Sequence, residues 1–314
     1  MIYSLDLQQK FANRESWDWK GWNIRYAVVE PTSEERHTPL LFLHGFGGSI
    51  EHWQYNIAAL GQHRPAYALD LLGFGESQKP PENYTMALWS EQVYDFWQRF
   101  IDRPVVLVGN SMGSALSLVT AQTHPSMVRG IALVGLPDLA LLNWTRPQWM
   151  QSVSSTVEER VLLPLVQQTL AVLLRQPSVV RQWAKSLCVN WAPFTEELIL
   201  SIAKPTETPE FEKAWSSVVL AMTHPNFMPK LEELLPKIEI PILWLEGQQD
   251  GVLPPNLDDR ILQTCPHLTR VLLENAGHYL HYERSNEVNQ TIENWIESWD
   301  ESRGSLPESV LNAA

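Results

Sequence analysis

A serine lies in the pentapeptide Gly-Asn-Ser-Met-Gly at 109–113, between an apolar run and an Ala/Leu-rich segment with helical spacing. The preceding run at 105–108 is short, branched and uninterrupted, which is typical of a parallel strand buried on both faces. A G-x-S-x-G turn between strand and helix exposes its serine hydroxyl above the sheet, beside the positive end of the helix. Small residues at both ends predict close packing of strand against helix. The pattern therefore predicts that Ser111 is a nucleophile.

A serine nucleophile needs a base and a group that orients the base, in the chain order serine, acid, histidine. His278 follows the last predicted strand, and Asp250 follows the strand before it. Carboxyl ends of parallel strands meet at one edge of a sheet, so both side chains belong at the edge of Ser111. We predict His278 as general base and Asp250 as the orienting acid. Asp138, shortly after another strand, is a rival for the acid.

Stabilising an oxyanion requires backbone N–H donors. One is predicted at Met112, directly after the nucleophile. The other is predicted at Phe46, in the Gly-rich loop His-Gly-Phe-Gly-Gly-Ser at 44–49. That loop lacks the lysine of a G-x-x-x-x-G-K-[ST] phosphate loop, so a phosphate site is disfavoured.

Composition limits the remaining function classes. The 314 residues carry a formal charge of −13, which argues against a nucleic-acid partner or an anionic membrane surface. The two cysteines have no metal-like spacing, and we predict no metal and no cofactor. The chain has no signal-like start and no 18-residue apolar run, which predicts a soluble, cytoplasmic protein without an integral membrane segment. Peripheral membrane contact and the oligomeric state stay open.

Apolar runs alternate with helical segments up to about residue 135 and again after 240. This alternation predicts an α/β fold, a mostly parallel sheet with helices on both faces. No strand is predicted between 137 and 236, where Leu, Val and Trp occur with helical spacing interrupted by prolines. We therefore predict a core domain at 1–136 and 237–314 and an inserted helical cap at 137–236. The cap would cover Ser111, and its apolar residues favour a lipophilic small-molecule substrate.

Together these motifs resemble the α/β-hydrolase superfamily over residues 17–299. The matching segments are H-G-F-G-G-S, D-L-L-G-F-G-E-S, G-N-S-M-G, H-P-S-M-V-R-G-I-A-L-V-G, G-Q-Q-D and A-G-H. The resemblance implies the same fold and a capped serine hydrolase, with the roles of nucleophile, acid, base and oxyanion donors at Ser111, Asp250, His278, Phe46 and Met112. Ser114 departs from the pattern, because many relatives have glycine there, which costs some close packing.

Weaker resemblances concern the subfamily. The opening W-D-W-K-G-W-N-I-R-Y with H-G-F-G resembles pheophytinase-like hydrolases of plants and cyanobacteria, and G-N-S-M-G resembles carbon–carbon bond hydrolases. Because the nucleophile is not aspartate, haloalkane dehalogenase and epoxide hydrolase chemistry is disfavoured.

We expect hydrolysis of a carboxylic ester with an apolar portion. One alternative is C–C hydrolysis of a ring-opened diketone acid, whose carboxylate needs a cation in the cap. The candidate cations are Arg146, Arg175, Arg181 and Lys185. The other alternative is a non-catalytic ligand receptor on the same fold.

Overall fold

The computed structural model of the chain describes residues 13–31, 37–136, 172–222, 227–228, 230–252 and 265–300. Eight strands in these ranges form one sheet in the order β1-β2-β4-β3-β5-β6-β7-β8. The pairs β1–β2 and β2–β4 are antiparallel, and all later neighbours are parallel. The predicted mostly parallel sheet is confirmed. The strands are β1 Arg14–Trp19, β2 Trp22–Val29, β3 Leu40–Leu43, β4 Ala66–Leu69, β5 Val105–Asn110, β6 Val128–Val134, β7 Ile242–Gly247 and β8 Leu268–Leu273.

The sheet is covered on both faces, as strand β3 demonstrates. Its residues Leu41 and Leu43 belong to one apolar core cluster, while Leu40 and Phe42 belong to the other. Successive side chains of a strand point to opposite faces, so a strand buried on both sides must be apolar throughout. This burial explains why the central strands were recognisable as uninterrupted apolar runs.

Strand β1 was not predicted from the sequence. Its sequence Arg-Glu-Ser-Trp-Asp-Trp is mostly polar, and only Trp19 at its end is buried. It pairs with β2 through a two-residue turn in which Lys20 and Gly21 have φ of 55° and 86°. Positive φ at both positions of a two-residue turn is the geometry that matches the twist of a hairpin. The Trp17 ring then packs edge-on against Phe96, 5.9 Å between centroids.

Helices flank the strands. The helix predicted from Trp89 begins three residues earlier, at Met86, because the Thr85 hydroxyl accepts the Leu88 N–H and caps it. The α-helices of the described residues are Gln54–Leu60, Met86–Phe100, Met112–Thr123, Pro177–Ser186, Glu196–Ala203, Phe211–Met222, Leu231–Leu234, Leu280–Glu283 and Ser285–Asp300.

Within 137–236, the described residues contain helices and no strand. Helix Pro177–Ser186 packs on helix Glu196–Ala203 around a small apolar cluster that includes Val180 and Ile199. The predicted helix at 161–174 lies almost entirely outside the described residues, as does Asp138. The domain boundaries at 137 and 236 stay predictions. In the part of the chain that the structure describes, no helix is long and apolar enough to cross a membrane.

The turn between β5 and helix Met112–Thr123 has no room for a side chain at Gly113. A methyl group on Gly113 would lie 2.1 Å from the carbonyl oxygen of Leu43, and backbone cannot yield as a flexible side chain can. We expect Gly113→Ala to lower the free energy of unfolding in urea by about 3 kcal/mol. Gly251→Ala is the control, because its nearest neighbour would be an ordinary 3.9 Å away. Equal stability of the two variants would contradict this packing.

Candidate active site

Ser111 lies in the sharp turn that joins strand β5 to helix Met112–Thr123. Its φ is 52° and its ψ is −117°, a conformation that L-residues rarely adopt. The Ser111 N–H donates to the carbonyl of Val134 on the neighbouring strand β6, at 2.9 Å. A methyl group on Gly109 would lie 2.3 Å from the Gly113 carbonyl oxygen, so the turn closes only around glycine. The predicted close packing at both ends of the pentapeptide is confirmed.

Ser114, the departure from the resembled pattern, adds hydrogen bonds at the base of the turn. Its hydroxyl donates to the Gly109 carbonyl at 2.7 Å and accepts the Val134 N–H at 3.1 Å. These contacts join the helix to two strands at the base of the turn. The sequence predicted a loss of close packing at Ser114 but not these hydrogen bonds of its hydroxyl.

His278 and Asp250 are brought together by the loops after β8 and β7. The His278 Nδ1 lies 2.8 Å from Asp250 Oδ2, and both residues are buried. The other carboxylate oxygen of Asp250 accepts the Val252 N–H at 2.8 Å. An ionised carboxylate can only accept, so Nδ1 carries the ring proton and Nε2 of the neutral imidazole is left as the basic nitrogen.

Two further contacts fix these loops to each other. Gln249 donates its N–H to the Ala276 carbonyl at 3.0 Å, and its side-chain oxygen accepts the Ala276 N–H at 3.1 Å. A methyl group on Gly135, at the end of β6, would lie 3.3 Å from His278 Nδ1. The imidazole is therefore packed between three loops at the carboxyl edge of the sheet.

The Gly-rich loop lies against the serine turn. A methyl group on Gly45 would be 3.0 Å from Ser111 Cβ. The buried His44 ring donates from Nδ1 to the Gly45 carbonyl at 2.8 Å and accepts the Leu71 N–H at Nε2, 3.0 Å away. Within the described residues, neither the Phe46 nor the Met112 backbone N–H has a hydrogen-bond acceptor. Two donors are thus available near the serine.

Aromatic residues of the predicted cap contact this same loop. The Trp215 ring lies 4.7 Å from the Phe46 ring, centroid to centroid, and 5.5 Å from Phe211 on its own helix. A methyl group on Gly47 would touch the Trp183 indole at 3.6 Å. These rings place an apolar surface against the Gly-rich loop at Phe46 and Gly47.

The model of the alpha/beta hydrolase fold family matches residues 38–285, most of the chain. The chain belongs to the alpha/beta hydrolase fold family. Its eight-stranded, mostly parallel sheet and its serine turn after β5 agree with that membership. The predicted resemblance is confirmed.

Relatives with described activities are distant. This α/β-hydrolase chain is 26% identical to the dihydrolipoyllysine-residue acetyltransferase component of the acetoin cleaving system of Pseudomonas putida, covering 82% of the chain and 63% of that protein. It is 23% identical to chloroplastic pheophytinase of Arabidopsis thaliana, covering 84% of the chain and 66% of that protein. The chain therefore spans just under two thirds of these two relatives.

Among solved structures, a membrane phospholipase A described as a bacterial virulence factor superposes with a TM-score of 0.72 at 26% identity. The match covers 94% of this α/β hydrolase and 88% of that chain.

Three of the four cations considered for a substrate carboxylate already have partners within the predicted cap. Arg175 pairs with Glu212 at 2.7 Å, and Arg181 pairs with Glu196. Lys185 lies over the Trp191 ring, 5.1 Å from its centroid. Arg146 lies outside the described residues.

An ion-pair network next to the Gly-rich loop was not predicted. Arg25 on β2 pairs with Glu51 and, at 3.3 Å, with Asp70 after β4. Asp70 also accepts the Ile50 N–H at 2.7 Å and the Glu76 N–H at 2.8 Å. Complete burial, with the nearby Glu51 charge, raises the pKa of Asp70 to about 7. The partners are far apart in sequence, so no local pattern indicated them.

Three histidines outside the predicted triad are buried near the site. Burial lowers the pKa of His44 and of His52 to about 4. Burial, with the neighbouring His52 and His278, lowers the pKa of His281 well below 6.5. His281 lies on the helix after His278, as predicted, and neither of its ring nitrogens has a hydrogen-bond partner among the described residues. No cluster of three or more His, Cys, Asp or Glu in those residues could hold a metal ion.

These buried histidines predict acid-sensitive stability. Their folded-state pKa values lie below the unfolded value of 6.5, so the unfolded chain takes up more protons and stability is lost as the pH falls. Asp70 opposes this, because its raised pKa lets the folded state bind a proton first. From pH 7 to pH 5.5 we expect a net loss of about 2 kcal/mol, measured by urea unfolding.

The contribution of His281 to the loss of stability at acid pH can be measured with one substitution. His281 has no hydrogen bond to lose, so His281→Leu is expected to reduce the acid-induced loss by about 1 kcal/mol. His63→Gln removes an exposed imidazole and serves as the control. A pH dependence identical in His281→Leu and the parent would rule out a buried, neutral His281.

Proposed function

We propose that the chain is a serine hydrolase that cleaves carboxylic esters. The observation that supports this most directly is the 2.8 Å contact between His278 Nδ1 and Asp250 Oδ2 at the sheet edge where Ser111 turns. An imidazole held by a carboxylate, at the same edge of the sheet as a serine on a strained turn, is typical of acyl transfer. Family membership supports hydrolysis in general terms.

In this proposal Ser111 Oγ attacks the ester carbonyl and forms a tetrahedral intermediate. Its proton passes to His278 Nε2, while Asp250 stabilises the imidazolium through Nδ1–H. The intermediate collapses when the imidazolium gives the proton to the leaving alkoxide, which departs as alcohol. Water, activated by the same histidine, then adds to the acyl-enzyme and releases the acid.

The backbone N–H groups of Phe46 and Met112 are the proposed oxyanion donors. Both lack acceptors among the described residues, and Met112 begins the helix after the serine, where N–H groups point outward. Donors already fixed by the fold stabilise the developing negative charge without reorganisation.

An apolar substrate portion follows from the rings around Phe46. Trp215 and Trp183 reach the Gly-rich loop from the predicted cap, and neither brings a charge. The alternative C–C hydrolysis is less supported, because Arg175 and Arg181 are already paired with carboxylates. A receptor without turnover would have no need of the strained Ser111 backbone.

Loss of the nucleophile tests the mechanism. Ser111→Ala is expected to abolish hydrolysis of p-nitrophenyl acetate and labelling by a fluorophosphonate, with the urea midpoint within error of the parent. Asp250→Asn is expected to lower kcat roughly 10⁴-fold, because the amide cannot hold the histidine tautomer. Parental turnover by either purified variant would refute the assignment, and a parent that never labels would favour the receptor.

Acyl-chain preference tests the apolar surface. Trp215→Ala is expected to lower kcat/KM for p-nitrophenyl octanoate roughly tenfold and for the acetate much less, because a longer chain loses more apolar contact. Trp191→Ala is the matched control, since its ring stacks on Phe194 rather than on Phe46. An octanoate-to-acetate ratio unchanged by Trp215→Ala would show that this indole lines no acyl site; a phytyl ester completes the panel.

A further inference from the structure

Glu283 joins the predicted cap to the loop that holds His278. It ends the short helix Leu280–Glu283 and is 4% exposed. Its carboxylate accepts three backbone N–H groups, from Val189 at 2.7 Å, Asn190 at 2.8 Å and Gly277 at 3.0 Å. The first two donors belong to the predicted cap, and the third precedes His278 directly.

A second contact joins the same two segments. The His278 backbone N–H donates to the Leu187 carbonyl at 2.8 Å. A methyl group on Gly277 would lie 2.6 Å from that carbonyl oxygen and 3.1 Å from the Cys188 Cα. The segment 187–190 therefore contacts the histidine loop through its own backbone as well as through Glu283.

The chemistry of Glu283 is unusual for a buried carboxylate. It has no cationic partner among the described residues, so the three N–H groups are what compensate its charge. Burial raises the pKa of Glu283, and the three hydrogen bonds oppose that rise. Hydrogen bonds to an ionised acceptor are short and strong, which suits a rigid connection.

We propose that Glu283 is a positioning residue that couples the cap segment 187–190 to His278, so that the imidazole is held against Asp250 only while that segment is docked. This inference rests on the proposed hydrolase function. It makes the attachment of the cap a control on the catalytic base, independent of any contact with substrate.

Isosteric substitution tests the coupling. Glu283→Gln keeps the volume and one oxygen acceptor, but its amide group would face an N–H donor. We expect kcat for p-nitrophenyl acetate to fall about tenfold with KM within about twofold, because a misplaced base affects the transition state more than substrate binding. The rate of fluorophosphonate labelling of Ser111 should fall in parallel, and Glu283→Ala should lower both further.

The control is a half-buried carboxylate whose polar contacts lie elsewhere in the fold. Glu293 on helix Ser285–Asp300 pairs with Arg64 at 2.6 Å, whereas Glu283 binds the histidine loop and the segment 187–190. Glu293→Gln should lower the urea midpoint while leaving kcat and labelling at the parental level. All rates are measured well below the unfolding temperature and are normalised to folded protein.

A spectroscopic measurement makes the result independent of turnover. The downfield proton resonance of His278 Nδ1–H reports its hydrogen bond to Asp250 and should shift or broaden in Glu283→Gln but not in Glu293→Gln. Parental labelling and an unchanged resonance in Glu283→Gln would overturn the proposal, as would an equal loss of kcat in Glu293→Gln. If the parent itself neither labels nor hydrolyses esters, the proposed function fails, and the resonance alone decides the coupling.

Discussion

The backbone of Ser111 is held in a conformation that costs a non-glycine residue about 1–3 kcal/mol, and the rest of the site is arranged around that constraint. The strain persists because neighbouring groups leave no alternative path for the chain. Val134 accepts the Ser111 N–H, the Ser114 hydroxyl bridges to the same strand, and Gly113 packs on the Leu43 carbonyl. Strands β6 and β3 therefore both hold the turn that carries the serine.

The same edge of the sheet imposes the positions of the remaining groups. Because β5, β7 and β8 are parallel, their carboxyl ends deliver Ser111, Asp250 and His278 to one side. The loops then interlock, as the paired hydrogen bonds between Gln249 and Ala276 show. Ser111 thus shares its edge of the sheet with two residues more than a hundred positions later in the chain because of strand direction.

Strand direction is also why so much could be predicted from the sequence. Central strands are buried on both faces, so β3, β5 and β7 had to be apolar, and the motifs between them had to lie at their ends. Features that depend on long-range polar contacts had no such signal. The Arg25 network and Glu283 are explained by partners distant in sequence. The edge strand β1 pairs with its neighbour β2 through a two-residue turn, but it is mostly polar and exposed and so lacks the apolar run of a central strand. For Glu283, the only local indication was a carboxylate five residues after the predicted base.

Burial of charge is what joins these unpredicted features. An ionised group in the interior must be compensated, and the available partners determine which segments it holds together. Asp70 accepts hydrogen bonds from Arg25, from the Ile50 N–H directly after the Gly-rich loop and from the Glu76 N–H, which fixes the end of the loop that contains Phe46. Glu283 is compensated by backbone from two segments, which fixes the loop of His278. Two buried carboxylates, neither a member of the proposed triad, therefore hold the two halves of the proposed site, one beside the oxyanion donors and the other beside the base.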